Sequence, residues 1–261
     1  MQIRHYHRGS YFQEQKTATE RYIIPYIQPL FPVGSETVVL EVGCGEGGSL
    51  CPFLERGCRV IGVDISENKI NTAGEFFANH PLKAQLTLIQ KDILQVNSDS
   101  IEPADLIVMR DTLEHIDNQD RLLIHLQNLL KPGGRIFLSF PPWRMPFGGH
   151  QQMCVHRLLC RLPYFHLLPA PAYAWILKKC GESREKVRAL LEIKETRISI
   201  RQFKQLVRNH HLKIEREDFY LINPNYEVKF RLKPLKLPFF LSIPYFRDYM
   251  ITTCYYLVRR G

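Results

Sequence analysis

The chain has 261 residues, 45% of them apolar or aromatic and 23% charged, which suits one sizeable core with elaborations and excludes wholesale disorder. Its net charge of +9 is uneven: residues 1–142 carry 13 basic and 17 acidic side chains, whereas residues 143–261 carry 22 and 9, so the second half fits either an anionic partner or a solvated basic surface. Residues 1–8 show no apolar leader core, residues 158–177 are too broken by Arg161, His166 and three prolines to span a membrane, and seven cysteines without a Cys-x-x-Cys pair argue for a reducing, cytoplasmic setting.

In chain order, residues 14–27 are expected to form a helix over the sheet. Thr37-Val38-Val39-Leu40-Glu41-Val42 is an apolar run that ends in a glycine cluster, hence a buried strand and a tight turn. A helix should then run to about Arg56. Arg59-Val60-Ile61-Gly62-Val63-Asp64 reads as a second strand ending on an acid. Ser66 is the expected N-cap of a helix reaching toward His80, with Pro81 beyond it. Residues 86–91 and 104–109 read as the third and fourth strands. Asp117 is placed as the cap of a helix through Leu130, with Leu122, Leu123, Leu126, Leu129 and Leu130 on one face. Lys131-Pro132-Gly133-Gly134 stops it, and residues 135–140 make a fifth strand. Alternating strands and helices imply an α/β fold with a doubly wound, mostly parallel sheet. Residues 143–198 read as an irregular, partly helical insertion. Ser199 opens a helix to about His210, residues 212–221 alternate like a strand, residues 224–245 form a proline-rich second insertion, and residues 250–258 read as a closing strand.

Gly43-Cys44-Gly45-Glu46-Gly47-Gly48 satisfies G-x-G-x-x-G between a strand and a helix, where glycines permit a sharp turn and backbone N–H groups can meet a ligand. Alone, the pattern also fits a dinucleotide, with Asp64 on the ribose, or a turn with no ligand. Glu41, two residues ahead, favours a ligand that carries an ammonium group over a pyrophosphate. A second acid, Asp92, follows strand three in Gln90-Lys91-Asp92-Ile93. At this point the sequence resembles the class I S-adenosylmethionine-dependent methyltransferases of the small-molecule type. The similarity runs through Val39-Leu40-Glu41-Val42-Gly43-Cys44-Gly45-Glu46-Gly47, Val63-Asp64-Ile65-Ser66 and Lys91-Asp92-Ile93. It continues through Ala104-Asp105-Leu106-Ile107-Val108-Met109 with Leu113-Glu114-His115-Ile116, and through Leu129-Leu130-Lys131-Pro132-Gly133-Gly134.

The resemblance implies a Rossmann-like seven-stranded sheet in the order 3-2-1-4-5-7-6, its last strand antiparallel, with helical lid insertions. It implies S-adenosylmethionine as donor and S-adenosylhomocysteine as product. Glu41, Gly43, Cys44 and Gly45 would then hold the donor's amino-acid part, Asp64 its ribose, and Ile65, Asp92 and Ile93 its adenine. Arg110 and Asp111 would line the site near the methyl group. The implied division is a cap helix (1–35), a donor-binding core (36–142), a lid insertion (143–198) and a C-terminal completion of the sheet (199–261) interrupted at 224–245. Tyr11 and Tyr22 of the cap helix are expected over the donor.

Methyl transfer from a sulfonium is an in-line displacement that depends chiefly on holding the acceptor near contact. A base is needed only when a hydroxyl or amine must lose a proton. His150, after Phe147-Gly148-Gly149 and just past strand five, is the candidate base, weighed against a loop histidine bonded to backbone. His115 is second, weighed against a structural role. Pro141-Pro142-Trp143 follows strand five behind Phe140, and so lacks the context of a base-methylating motif. Cys44, Cys51 and Cys58 span a loop, a helix and a strand, and no metal site is expected. The leading reading is methylation of a small-molecule acceptor, lipid or glycan intermediates included, at oxygen. RNA methylation by the basic half lacks a recognisable RNA-binding module, so nucleic acid is disfavoured. A non-catalytic donor-binding protein and a nicotinamide-dependent oxidoreductase are the rival readings, and the oligomeric state stays open. The two insertions are expected to form one lid. Tyr164, Phe165, Tyr173, Trp175, Phe239, Phe240, Tyr245 and Phe246 would wall an apolar pocket, and Arg144, Arg157, Arg161, Lys229, Arg231 and Lys233 would meet an anionic group. The competing account rests residues 235–241 on an anionic membrane surface as a peripheral contact.

Overall fold

A computed structural model describes residues 8–261 apart from the side chain of Phe239, so the expectations for residues 1–7 and for that side chain lie outside the described residues. The chain begins with α1 (Arg8–Ala18), which passes through a π-helical turn (Thr19–Ile23) into α2 (Ile24–Ile27). β1 (Val38–Val42) is buried along its whole length. Its alternation sends Val38, Leu40 and Val42 to one face of the sheet and Val39 to the other, as the two-residue period of a strand requires. The expected helix to Arg56 shrinks to one turn, α3 (Cys51–Leu54). Gly43, Gly45 and Gly47 all take positive φ, so the intervening residues form successive turns instead.

β2 (Arg59–Asp64), α4 (Glu67–Phe76), β3 (Leu86–Gln90), β4 (Ala104–Arg110), α5 (Gln119–Asn128) and β5 (Leu130–Phe140) follow. Ser66 does stand at the N-cap of α4, but its side chain makes no capping bond. α4 ends at Phe76, short of His80. The cap of α5 is Asn118, whose side-chain oxygen accepts the Arg121 N–H at 2.9 Å, and not Asp117. The 143–198 segment contains α6 (Ala170–Lys179) and α7 (Arg184–Thr196). α8 (Ile200–Asn209) opens on a reciprocal Ser199–Gln202 capping box. β6 (Leu212–Ile222), α9 (Asn225–Phe230), β7 (Leu235–Lys236), α10 (Arg247–Met250) and β8 (Thr253–Arg260) complete the chain.

The sheet order is β3-β2-β1-β4-β5-β8-β6-β7. β8 runs antiparallel between β5 and β6, which is the expected 3-2-1-4-5-7-6 arrangement of a Rossmann-like doubly wound α/β fold. The two-residue β7 adds an eighth strand at the edge of β6. Leu40, Ile107, Leu138 and Phe203 pack on one side of the sheet, and Val39, Phe53, Phe137 and Tyr26 on the other. Burying a side chain of this kind stabilises the fold by about 1.5–3 kcal/mol. The 143–198 insertion has a small core of its own, built around Leu159, Phe165, Tyr173, Leu177 and Leu190. All seven cysteines are unbridged, and no helix among the described residues is long and apolar enough to cross a membrane.

Candidate active site

The carboxyl ends of β1 and β2 are tied together by the glycine loop. Gly43 and Cys44 donate their N–H groups to the Val63 carbonyl at 2.8 and 3.1 Å. Gly45 donates to Asp64 Oδ2 at 2.9 Å. The four glycines of the loop do different work. A Cβ on Gly43 would lie 2.5 Å from Thr112 Oγ1, one on Gly47 would lie 2.8 Å from the Phe77 ring, and one on Gly48 would lie 2.4 Å from the Phe12 carbonyl. Those three let protein pack on protein. A Cβ on Gly45 would meet open space, which makes this residue the loop's free face. Cys44 turns its fully buried side chain into the core and accepts the Gly47 N–H at its carbonyl, so its groups serve the loop itself.

Three acids stand at successive strand ends. Glu41 is 2% exposed, and the Ser49 hydroxyl donates to its Oε1 at 2.5 Å. Its Oε2 has no partner among the described residues. Burial lifts the Glu41 carboxyl to about 7, against the opposing pull of the Ser49 bond and of Arg110. The buried Asp64 takes the Ser66 N–H at Oδ1, 2.9 Å away, and Lys69 Nζ lies 3.9 Å from Oδ2. Each Asp64 oxygen thus keeps a lone pair for a further donor. Beside it, Ile65 is 70% exposed, an apolar surface that a flat ring could cover. Asp92 Oδ1 accepts the Leu94 N–H at 2.9 Å and caps a short turn (Ile93–Gln95), while Ile93 itself is in the core. Arg110, at the end of β4, reaches Thr19 Oγ1 at 3.4 Å.

The N-terminal helix lies against this loop, with the Phe12 carbonyl over Gly48. The Tyr11 hydroxyl accepts from Gln15 Nε2 at 3.0 Å, and burial pushes its ionisation up in the field of Arg110 and Asp111. Tyr22 is half-buried on the π turn. α9 packs against α1 and brings the Lys229 charge to bear on Asp111.

A second corner forms where the sequence pointed to two separate histidines. Glu114 and His115 follow β4 in a short turn (Leu113–His115), and the His150 ring centroid lies 5.2 Å from that of His115. One ligating atom from each of Glu114, His115 and His150 falls within 4.8 Å of the others. Glu114, 5% exposed, is the residue the sequence did not single out, although its place directly before His115 was visible. Its Oε2 and His150 Nδ1 lack partners among the described residues. Burial and the neighbouring Asp111 push the Glu114 carboxyl well up. Burial pulls His150 down to about 4, reinforced by His115 and His166, and burial with Lys69 lowers His115. Lys69, 3.9 Å from Asp64 Oδ2, is thus the charge that the acid-lined loop and this corner have in common.

Gly148 and Gly149 are glycines because protein packs against them. Added Cβ atoms there would lie 2.4 Å from the Trp143 carbonyl and 2.2 Å from His166 Cβ. His166, fully buried, bonds the Trp143 carbonyl at 2.7 Å, and Lys194 Nζ donates to the His166 and Leu168 carbonyls at 2.8 and 2.9 Å. This packing holds His150 in the left-handed region at φ +53°.

The expected aromatic wall is also revised. Phe165 and Tyr173 build the insertion's own core, whereas Trp175, Phe240, Tyr245 and Phe246 are exposed. Arg157, Arg161, Arg231 and Lys233 face solvent. The 143–198 insertion reaches α10, just beyond the second insertion: the Tyr164 hydroxyl donates to the Tyr249 carbonyl at 2.9 Å, and the Arg144 guanidinium lies 5.7 Å from the Tyr249 ring centroid. A depression lined by Pro132, Gly134, Arg135 and Arg259 lies at the amino end of β5, away from all these groups.

A methyltransferase-domain family model matches residues 13–181. Over 103 residues the chain is 36% identical to a ubiquinone biosynthesis O-methyltransferase of Coxiella burnetii, covering 39% of this chain and 42% of that protein. It is 30% identical over 127 residues to an uncharacterized methyltransferase of Mycobacterium bovis, covering 49% and 47%. The chain thus spans less than half the length of these curated relatives. Among solved structures it is similar to geranyl diphosphate C-methyltransferase from Streptomyces coelicolor A3(2), in complex with Mg2+, geranyl diphosphate and S-adenosyl-L-homocysteine. The TM-score there is 0.60 at 14% identity, over 94% of this chain and 79% of that one. Magnesium protoporphyrin IX methyltransferase from Synechocystis PCC 6803, with bound S-adenosylmethionine, gives 0.54 at 15% identity, over 95% and 80%. At such identities the structural likeness establishes the fold.

Proposed function

The chain belongs to the methyltransferase-domain family, and from that premise we propose that it transfers the methyl group of S-adenosylmethionine to an oxygen of a small-molecule acceptor. The observation that carries this reading is the row of acids around a loop with one open face. Glu41 Oε2, unpartnered and buried, suits the donor's ammonium. The open side of Gly45 suits its amino-acid backbone. The spare lone pairs of Asp64 suit the ribose hydroxyls, and exposed Ile65 with Asp92 suits the adenine. Bound there, the donor supplies an electrophilic methyl group on a positively charged sulfur. The chain's part is to hold that donor, align the acceptor and take charge of one proton. The corner made by Glu114, His115 and His150 shares the charge of Lys69 with Asp64, and in this reading it is where an acceptor hydroxyl loses its proton. Methylation at oxygen is supported by the O-methyltransferase activity for which the Coxiella burnetii relatives are named. Seven unbridged cysteines support a reducing, cytoplasmic setting.

The test is incubation of the purified chain and donor with hydroxylated acceptors and with matched amines, read by mass spectrometry for a methyl-mass gain. Gain confined to the hydroxylated set supports the reading, and gain confined to the amines removes oxygen as the target. His150→Ala should lower turnover by about 10²–10⁴ with donor affinity kept. Tight binding of a nicotinamide dinucleotide without binding of S-adenosylhomocysteine would overturn the whole assignment.

A further inference from the structure

We propose that Glu114, His115 and His150 form a binding site for a single divalent transition-metal ion of the zinc, cobalt or iron(II) class, with open positions facing the acceptor. One carboxylate and two imidazoles are a donor set that such ions favour, whereas magnesium prefers oxygen ligands throughout. The three side chains come from two distant stretches, the turn after β4 and the start of the 143–198 insertion, and their ligating atoms lie within 4.8 Å of one another. Glu114 Oε1 and His115 Nε2 are 4.0 Å apart, within about 1 Å of the spacing of two tetrahedral ligands each about 2 Å from one ion. The half-exposed His115 side chain has freedom to close what remains.

Two orphaned atoms point the same way. Glu114 is only 5% exposed, yet its Oε2 has no partner among the described residues, and His150 Nδ1 is buried and unpartnered there as well. Leaving such groups unmatched away from water is unfavourable, and a bound cation would satisfy the carboxylate and draw in an imidazole nitrogen. The supports around them are rigid. The Thr196 hydroxyl on α7 donates to the Glu114 carbonyl at 2.5 Å, and the Gly149–His166 packing keeps His150 in a backbone conformation that non-glycine residues adopt at a cost. A second cluster of this general kind, Cys51, Glu55 and His80, lacks these signs. Glu55 is held by Lys16 at 2.5 Å, and His80 Nδ1 accepts the Leu82 N–H.

Three protein ligands leave room for an acceptor oxygen, as in catalytic metal sites. A hydroxyl coordinated there gives its proton to solvent. Its oxygen then bonds to the methyl carbon while the carbon–sulfur bond breaks, its electron pair passing to sulfur to leave a neutral thioether. In this assignment His150 is a ligand, and the ion supplies the acidity. The role in methyl transfer rests on the proposed function, but the ion site does not.

The experiment is titration of chelator-stripped protein with Co2+, read by its visible ligand-field absorption. One equivalent should develop tetrahedral or five-coordinate bands, and Zn2+ should quench them. Mg2+ in roughly a hundredfold excess should not, given its preference for oxygen. Glu114→Gln, His115→Ala and His150→Ala should each weaken Co2+ binding by about tenfold or more. Because Glu114 is buried, His115→Ala is the safer variant, and S-adenosylhomocysteine calorimetry on each variant reports whether the fold is intact. Absence of ligand-field bands, or an unchanged titration in His115→Ala, overturns the site. So does a sulfur-to-cobalt charge-transfer band that disappears in Cys51→Ser, because the ion then sits in the other cluster. If Co2+ binds as expected while no hydroxylated acceptor gains a methyl group, the acceptor reading fails and the ion site stands.

Discussion

On the proposed reading, Glu41 couples a proton to the donor. Its carboxyl, lifted to about 7 by burial, holds a proton over a range in which the unfolded chain would already have ionised. Native stability therefore falls as pH rises from about 4.5 toward 7 in the donor-free protein, because the unfolded state releases its proton first. An ammonium group beside Oε2 favours the ionised form, so donor binding below about pH 7 expels a proton. Donor affinity should rise up to about tenfold per pH unit between roughly pH 5 and 7 and then level off. Glu41→Gln should flatten that slope. Calorimetry in two buffers of different ionisation enthalpy measures the released proton, and binding that is independent of pH in the native chain would separate Glu41 from the ammonium. At the next strand end, Asp64→Ala removes both the spare lone pairs and the anchor of Gly45. It should weaken S-adenosylhomocysteine binding by about 1–3 kcal/mol, and unchanged affinity by calorimetry would remove Asp64 from the site.

Among the elements, the glycine loop separates packed glycines from one with an open face within six residues. Gly48→Ala drives a methyl group toward the Phe12 carbonyl, 2.4 Å away. It should lower stability by about 1–3 kcal/mol, seen as a lower melting temperature. Gly45→Ala meets no protein atom, and its left-handed backbone costs about 1–2 kcal/mol, so its larger effect should be on donor affinity. Equal losses of affinity in the two variants would contradict this division. The loop's existence was legible from the spacing of its glycines and from Glu41 and Asp64 on either side. Which glycine keeps an open face was not, because Gly47 and Gly48 are matched to Phe77 beside α4 and Phe12 on α1, and no local pattern encodes those contacts. The helix after the loop is shorter than expected for a related reason: positive-φ glycines stand on both sides of it, at Gly47 and Gly57. The Glu114–His115–His150 corner was half legible, since each histidine stands out at its own strand end but their meeting depends on how the insertion folds back.

At the level of the whole molecule, the parallel core followed from apolar runs and turn signals in order, and the expected sheet order holds. The basic half resisted the same reading. Its insertion is built from single turns and two helices around a core of seven buried side chains, and irregular turns leave no period in the sequence. Aromatic residues there looked like pocket walls, yet Phe165 and Tyr173 serve that local core. His166 closes the insertion on its own first residue through the Trp143 carbonyl. Burial lowers His166 to about 4, so the unfolded chain takes up a proton below about pH 6.5 that the native chain refuses until near 4. Stability should therefore fall as pH drops through that window, by about 1–3 kcal/mol. Hydrogen exchange should show residues 143–198 loosening before the parallel strands. His166→Gln should reduce the acid dependence, and uniform exchange across both regions would count against a separately yielding insertion.

The π-helical turn at Thr19–Ile23 sets an angle. A regular α-helix advances about 100° per residue, and a π turn takes up one surplus residue without lengthening the helix in step. Downstream, Tyr26 is fixed between Phe137 and Tyr255, at centroid distances of 5.6 Å to each. Upstream, Phe12 must meet Gly48 while Tyr11 turns toward Arg110. Both ends are satisfied only because the helix slips by that one residue between them. Deleting the exposed Glu20 would close the slip and swing Tyr11 and Phe12 more than a quarter of a circle off the cleft. Donor affinity should drop sharply in that deletion and hold in Glu20→Ala. The position is thus indifferent to which residue occupies it and strict about the count, so a one-residue gap there would mark a chain whose N-terminal helix presents a different face to the donor.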